Sequence, residues 1–218
     1  MSTPKIYGIV RSTYVKSARW AFEEKGVDYE LVQPDGGPTP GDLNHPAYLK
    51  RHPFARIPAL EHDDHHIYEA AAICSYVDEA FDGPALQPDS PLERARMRQW
   101  ISVASSYLDP TIMRGYVFPY AFAKDGNVDR ERVEAALPNC ERYTEILNEA
   151  LERRDFLAGD QLTIADLMIG PMFWAFGIFP EGKKIMEARP HLSRAVQGWL
   201  ARPGFQATLS DPRQTSAA

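Results

Sequence analysis

Cysteine is scarce in this chain. Cys74 and Cys140 are the only two in 218 residues, and neither sits in a CxxC pair, so a disulfide framework and dithiol exchange are both unexpected. Long apolar runs are missing too: no stretch approaches the ~20 residues that a membrane-spanning helix needs. Basic charge is not in excess. The net charge of −6 argues against a nucleic-acid partner, because phosphate recognition wants a basic face. No leader precedes the first strand-like segment at Lys5, so residence in the cytoplasm is expected. His62, His65 and His66 fall in what reads as a hairpin turn, and no metal is expected there.

What is present suits two modest globular units. Hydrophobic residues make up 44% of the chain, and its length exceeds that of a typical single domain. Lys5–Val10 is a short apolar run with β-branched residues, consistent with a buried strand. After the polar turn Arg11-Ser12-Thr13, the residues Val15, Ala18, Trp20, Ala21 and Phe22 give an apolar helical face, which Gly26 closes. Tyr29–Val32 reads as a second strand, completing a βαβ unit with a parallel pair. A Pro/Gly-rich loop spans Pro34–Gly41, and Leu43–Arg51 reads as a short helix. Ile57–Leu60 and Ile67-Tyr68 follow as an antiparallel pair, before a helix that Glu69 opens.

Three prolines and a glycine in 82–91 mark a linker. Beyond it the pattern turns helical throughout, with interruptions expected near Pro110 and Pro119 and a kink or break at Pro138. The expected fold class is therefore α/β, in the order βαβ-α-ββα over 1–81, followed after the 82–91 linker by an all-α domain over 92–218.

Four short features carry chemistry or capping. Ser12 or Thr13 begins the first helix; either is an ordinary N-cap, and either hydroxyl is placed to donate to an anion held by the helix start. In Arg56-Ile57-Pro58 the proline is either an ordinary edge-strand proline or, if cis, one that exposes the backbone of Ile57 to pair with a peptide-like ligand. Glu69 stands at a strand-to-helix junction, where it either supports the helix dipole or meets a ligand amine. Thr163 and Asp166 have capping-box spacing before an apolar helix, a structural feature.

In order and spacing, Phe54–Leu60, Ile67–Ile73, Leu86–Pro91 running into Arg98–Trp100, and Leu157–Asp166 resemble the soluble glutathione transferase superfamily. The opening Lys5–Val15 is most similar to its serine-type, phi-like branch. The resemblance implies a thioredoxin-like first domain, glutathione as co-substrate, a hydrophobic electrophile and a homodimer formed between the first domain of one subunit and the second of the other. It implies that Ser12, with Thr13 in reserve, donates to the glutathione sulfur. Arg56, Ile57 and cis Pro58 would hold the cysteinyl backbone, Glu69 and Ala70 the γ-glutamyl end, and Asn44 and His45 the glycine carboxylate, with Lys50 and Arg51 nearby. Met113, Tyr116, Phe118 and Tyr120 would line the hydrophobic pocket between the domains.

Two positions depart from the family pattern. Ala70 stands where a serine is usual, which removes a hydroxyl donor worth about 1.5–3 kcal/mol to a charged ligand group. Asn44 stands where a lysine is usual. A glutathione-dependent isomerase, lyase or dehalogenase, or a non-catalytic binding relative, are the alternatives on the same scaffold.

Overall fold

The computed structural model describes residues 2–34 and 41–211. Most of the expected Pro34–Gly41 loop lies outside the described residues. The chain divides into two compact units: one holds the chain up to Gln87 together with the segment from Arg202 onward, and the other is Pro88–Ala201.

The first unit is a four-stranded mixed sheet of order β2-β1-β3-β4, built from β1 (Lys5–Tyr7), β2 (Glu30–Val32), β3 (Ala59–His62) and β4 (His65–Tyr68). β1 is parallel to β2 and antiparallel to β3, and β3 is antiparallel to β4. Helices α1 (Thr13–Lys25), α2 (Pro46–Leu49) and α3 (Ala70–Ala80) complete the expected βαβ-α-ββα order, a thioredoxin-like arrangement. The strands are shorter than their apolar runs; β1 ends at Tyr7 because Gly8 turns the chain toward α1. A Cβ at Gly8 would collide with Val15 Cγ2, so only glycine lets the turn pass this close. Ser12 caps α1, its Oγ accepting from the Val15 amide at 3.3 Å. Gly26 closes the helix at φ 65°.

α1 is buried along most of its length, including three cations. Lys16 Nζ donates to the Val10 carbonyl. Arg19 donates to Tyr29 Oη at 2.8 Å and to the carbonyls of Thr208, Ala207 and Ser210 at 2.8–3.1 Å. Lys25 pairs with Asp78 at 3.1 Å and donates to the Gly83 and Pro84 carbonyls. The segment from Arg202 therefore does not continue the helical domain, as the sequence reading of 92–218 expected. It folds back as the short α10 (Pro203–Ala207), where Phe205 meets Trp20 edge-on at 5.1 Å and Arg202 pairs with Glu24 at 2.6 Å.

The second unit is helical, and the described residues after Tyr68 contribute no strand to a sheet. α4 (Pro91–Val103) runs into wide helical turns over Ala104–Val117, then into α5 (Phe118–Ala121). The helix thus passes Pro110 by widening its turns around the residue that has no N–H to give. α6 (Arg130–Ala150) also continues through Pro138 rather than breaking; that proline is exposed, so the carbonyl it displaces can be hydrated. α7 (Ile164–Phe176), α8 (Pro180–Glu187) and α9 (Pro190–Leu200) complete the unit. The capping box is present: Thr163 N–H and Oγ1–H donate to Asp166 Oδ2 at 2.7 and 2.9 Å, and the Leu157 amide donates to Oδ1 at 2.9 Å. No helix among the described residues is long and apolar enough to cross a membrane.

Candidate active site

Sheet register gathers the site. Tyr7, at the end of β1, is opposite Ala59, which opens β3, and Ala59 is opposite Tyr68, which closes β4. The turn that follows β1 and leads to Ser12, the Arg56-Ile57-Pro58 segment that precedes β3 and the Glu69-Ala70 junction that follows β4 therefore emerge at one edge. Val32 pairs with Tyr7 in parallel, so the chain leaving β2 toward His45 departs from the same edge.

Each residue arrives with a definite local state. Ser12 is half-buried and Thr13 buried. The Ser12 oxygen accepts from the Val15 amide, which leaves its hydroxyl proton to be donated elsewhere. The Ile57–Pro58 bond is cis. Tyr48 Oη holds the Arg56 carbonyl at 2.7 Å, while the N–H and C=O of Ile57 enter no hydrogen bond among the described residues. Glu69 is exposed, with φ 70° and ψ 116°, a conformation that costs a non-glycine residue about 1–3 kcal/mol. It precedes the first turn of α3, whose free amides begin at Ala70, a buried residue.

On the loop side, Asn44 is exposed and its amide donates to Asp42 Oδ1 at 3.0 Å. His45 caps α2, with Nδ1 accepting from the Ala47 amide at 3.3 Å. That bond places the neutral ring's proton on Nε2. Lys50 and Arg51 turn elsewhere, lining a polar pocket with Glu61, Asp63, Asp64 and His66. There Arg51 pairs with Glu61 at 3.0 Å and lies over the Tyr7 ring at 4.5 Å. Tyr7 Oη also donates to Glu61 at 3.1 Å.

Of the aromatic set expected to line a hydrophobic pocket, Met113 and Tyr116 are buried at 3% and 0% exposure. As placed, they present almost no surface to a ligand. At Tyr116 the reason is polar: its Oη accepts from the Gly182 amide at 2.7 Å and donates to Glu181 at 3.2 Å. Tyr120 stacks on Phe179 at 4.5 Å and donates to the same carboxylate at 2.6 Å. Against the upward push of burial, these donors and Arg130 hold the Glu181 carboxyl down at about 2. Phe118 is half-buried, edge-on to the exposed Phe122 at 5.1 Å.

One residue at the site edge was not singled out from the sequence. His52 is 2% exposed, its Nδ1 has no partner among the described residues, and its ring lies 5.0 Å from that of Tyr68, the neighbour of Glu69. Burial lowers its pKa, Glu69 pulls it back up, and Arg56 pushes it down. The only sequence signal was a histidine before a proline at a helix end. Of the histidine cluster, His62 is buried and its Nδ1 lies 2.6 Å from Tyr76 Oη, whereas His65 and His66 are exposed. Cys74 and Cys140 are buried, and burial raises both thiols to about 12.

Comparison with known proteins agrees with this build. The profile of the glutathione S-transferase N-terminal domain matches residues 2–79, and that of the C-terminal domain matches residues 108–203. Glutathione S-transferase 4 of maize (Zea mays) is 35% identical over 211 residues, covering 93% of this chain and 91% of the relative. A probable glutathione S-transferase of rice (Oryza sativa subsp. japonica) is 30% identical over 215 residues, with 96% and 97% covered. Among solved structures, maize glutathione S-transferase I in complex with an atrazine glutathione conjugate superposes with a TM-score of 0.84 at 27% identity, covering 95% of this chain and 97% of that one. The chain belongs to the glutathione S-transferase family. It is a glutathione transferase, with a thioredoxin-like first domain and a helical second one.

The strain at Glu69 yields a stability prediction. Glu69→Gly relieves the left-handed backbone at a cost of up to ~1 kcal/mol in unfolded-chain entropy, so urea unfolding should show a net gain of about 1 kcal/mol. Glu69→Ala should show no such gain. Equal midpoints for the two variants would contradict the strain.

Proposed function

We propose that this transferase ionises glutathione against Ser12 and directs the thiolate at a hydrophobic electrophile. The observation that carries the reading is the convergence at one sheet edge of a cap hydroxyl with a proton to give, an unpaired peptide group at Ile57 and a strained acid at Glu69. Ser12 Oγ–H donates to the sulfur, aided by the positive end of α1. Ile57 N–H and C=O pair with the cysteinyl backbone as an added strand would, beside Arg56 and Pro58. Glu69 takes the γ-glutamyl amine, and the Ala70 amide, at the start of α3, takes the neighbouring carboxylate. His45 Nε2–H and Asn44 serve the glycine carboxylate. Thr13, which is buried, stays in reserve.

Energetically the task is modest. A free thiol has a pKa near 8.5, and lowering it by about two units requires roughly 2.7 kcal/mol of preference for the thiolate. One charge-assisted hydrogen bond with a helix N-terminus has that capacity. The thiolate then forms its bond to the electrophilic carbon as the leaving group departs with the electron pair, and the thiol proton has already passed to solvent. For the hydrophobic co-substrate, Phe118 retains surface for contact, whereas Met113 and Tyr116 belong to the helical packing. With no hydroxyl at Ala70, glutathione should bind more weakly than a serine there would allow.

We further propose a cytoplasmic homodimer. Its support is an exposed aromatic pair on the first unit, Phe54 at 67% and Tyr68 at 37% exposure with ring centroids 6.0 Å apart, surface that a monomer has reason to cover. Light scattering should then give twice the monomer mass for the wild type and a shift toward monomer for Phe54→Ala. A wild-type monomer would end this part of the reading.

Ultraviolet difference spectra of bound glutathione test the mechanism. In wild type the thiolate band should titrate near pH 6.5, and in Ser12→Ala it should move up by one unit or more. Unshifted titration in Ser12→Ala with an upward shift in Thr13→Ala would transfer the role to Thr13.

A further inference from the structure

Lys16 is a buried cation that the mechanism above leaves unused. It lies in the first turn of α1, its amide donating to the Ser12 carbonyl at 3.0 Å, and is only 2% exposed. Helical side chains lean toward the N-terminus, and this one does so fully: Nζ donates to the carbonyl of Val10, two residues before Ser12. The ammonium therefore lies beneath the turn that presents the Ser12 hydroxyl. Burial and the neighbouring Arg19, which is also positive, push its pKa down to about 8. A cation so placed gains from any anion brought close to it.

We propose that Lys16 is a positioning residue of the transferase site, which fixes the Val10–Ser12 turn through the Val10 carbonyl and whose charge lowers the pKa of the thiol bound at Ser12. The inference rests on the Ser12 reading above and adds to it a second source of thiolate stabilisation. Two residues span at most ~7 Å of chain, so the ammonium is within about 10 Å of Ser12. At an effective dielectric of ~20, a unit charge at that range shifts a thiol by about one pKa unit. Linkage makes the effect mutual: the bound thiolate must raise the pKa of Lys16 by the same amount.

Two substitutions separate charge from tethering. Lys16→Gln removes the charge while leaving a donor for the Val10 carbonyl, and Lys16→Arg keeps the charge. By thiolate absorbance across pH, the bound glutathione thiol should titrate about one unit higher in Lys16→Gln and within a few tenths of wild type in Lys16→Arg. Affinity for S-methylglutathione, which has no thiol to ionise, should be the same in all three proteins. An unchanged thiol pKa in Lys16→Gln, with Ser12→Ala still raising it, would overturn the role of Lys16 while leaving the Ser12 mechanism standing. No thiolate band in wild type would overturn both. Should Lys16→Gln fail to fold, the wild type still decides the matter by NMR of 13C-lysine. The Lys16 Cε titration should move up on binding glutathione and stay in place with S-methylglutathione; an unmoved titration with glutathione overturns the proposal.

Discussion

Burying α1 is the constraint on which the first unit depends. The helix places Ser12 at its start and carries Lys16, Arg19 and Lys25 into an interior that penalises unpaired charge. Each cation is met by polar groups from a different part of the chain: the turn after β1, the segment after α9, and the end of α3 with the linker. These ties fix the helix at its beginning, middle and end. A site built on its first turn inherits that rigidity, which is what transition-state positioning needs.

The sheet supplies the second half of the arrangement. Parallel pairing of β1 with β2 and antiparallel pairing of β1 with β3 and β3 with β4 leave the Ser12 turn, the Ile57–Pro58 bond and the Glu69 junction at the same edge. Their chemistry is largely that of the backbone: a helix start, an unpaired peptide group and a second helix start at α3. Under the proposed function, such a site recognises a peptide-like anion through main-chain groups, and Ala70 and Asn44 each cost it a single hydrogen bond.

Much of this was legible in the sequence, because the deciding signals are local. Ser12 before an apolar helical face, Gly26 at its end, Pro58 at a strand start and Thr163 with Asp166 each act within a few residues. The order βαβ-α-ββα followed from periodicity, and the family from the spacing of the motifs together. What the sequence hid depends on distant contacts. The burial of Lys16 and Arg19 has no local signal, since the partners of Arg19 lie up to 191 residues away. Arg202 onward read as more helical domain for the same reason. Pro110 read as an interruption and Pro138 as a kink or break, although wide turns and an exposed position absorb them. Tyr116 stood as a candidate for the pocket wall because an aromatic pattern does not say which face a polar partner, here Glu181 and the Gly182 amide, will claim.

The central claim is that glutathione loses its thiol proton on binding. Calorimetric titration at pH 7, repeated in buffers of different ionisation enthalpy, counts that proton directly. A bound thiol lowered by about two units from 8.5 requires release of roughly 0.7 proton per site with glutathione, and none with S-methylglutathione. Equal release for the two ligands would contradict the account, because binding would then occur without ionising the thiol.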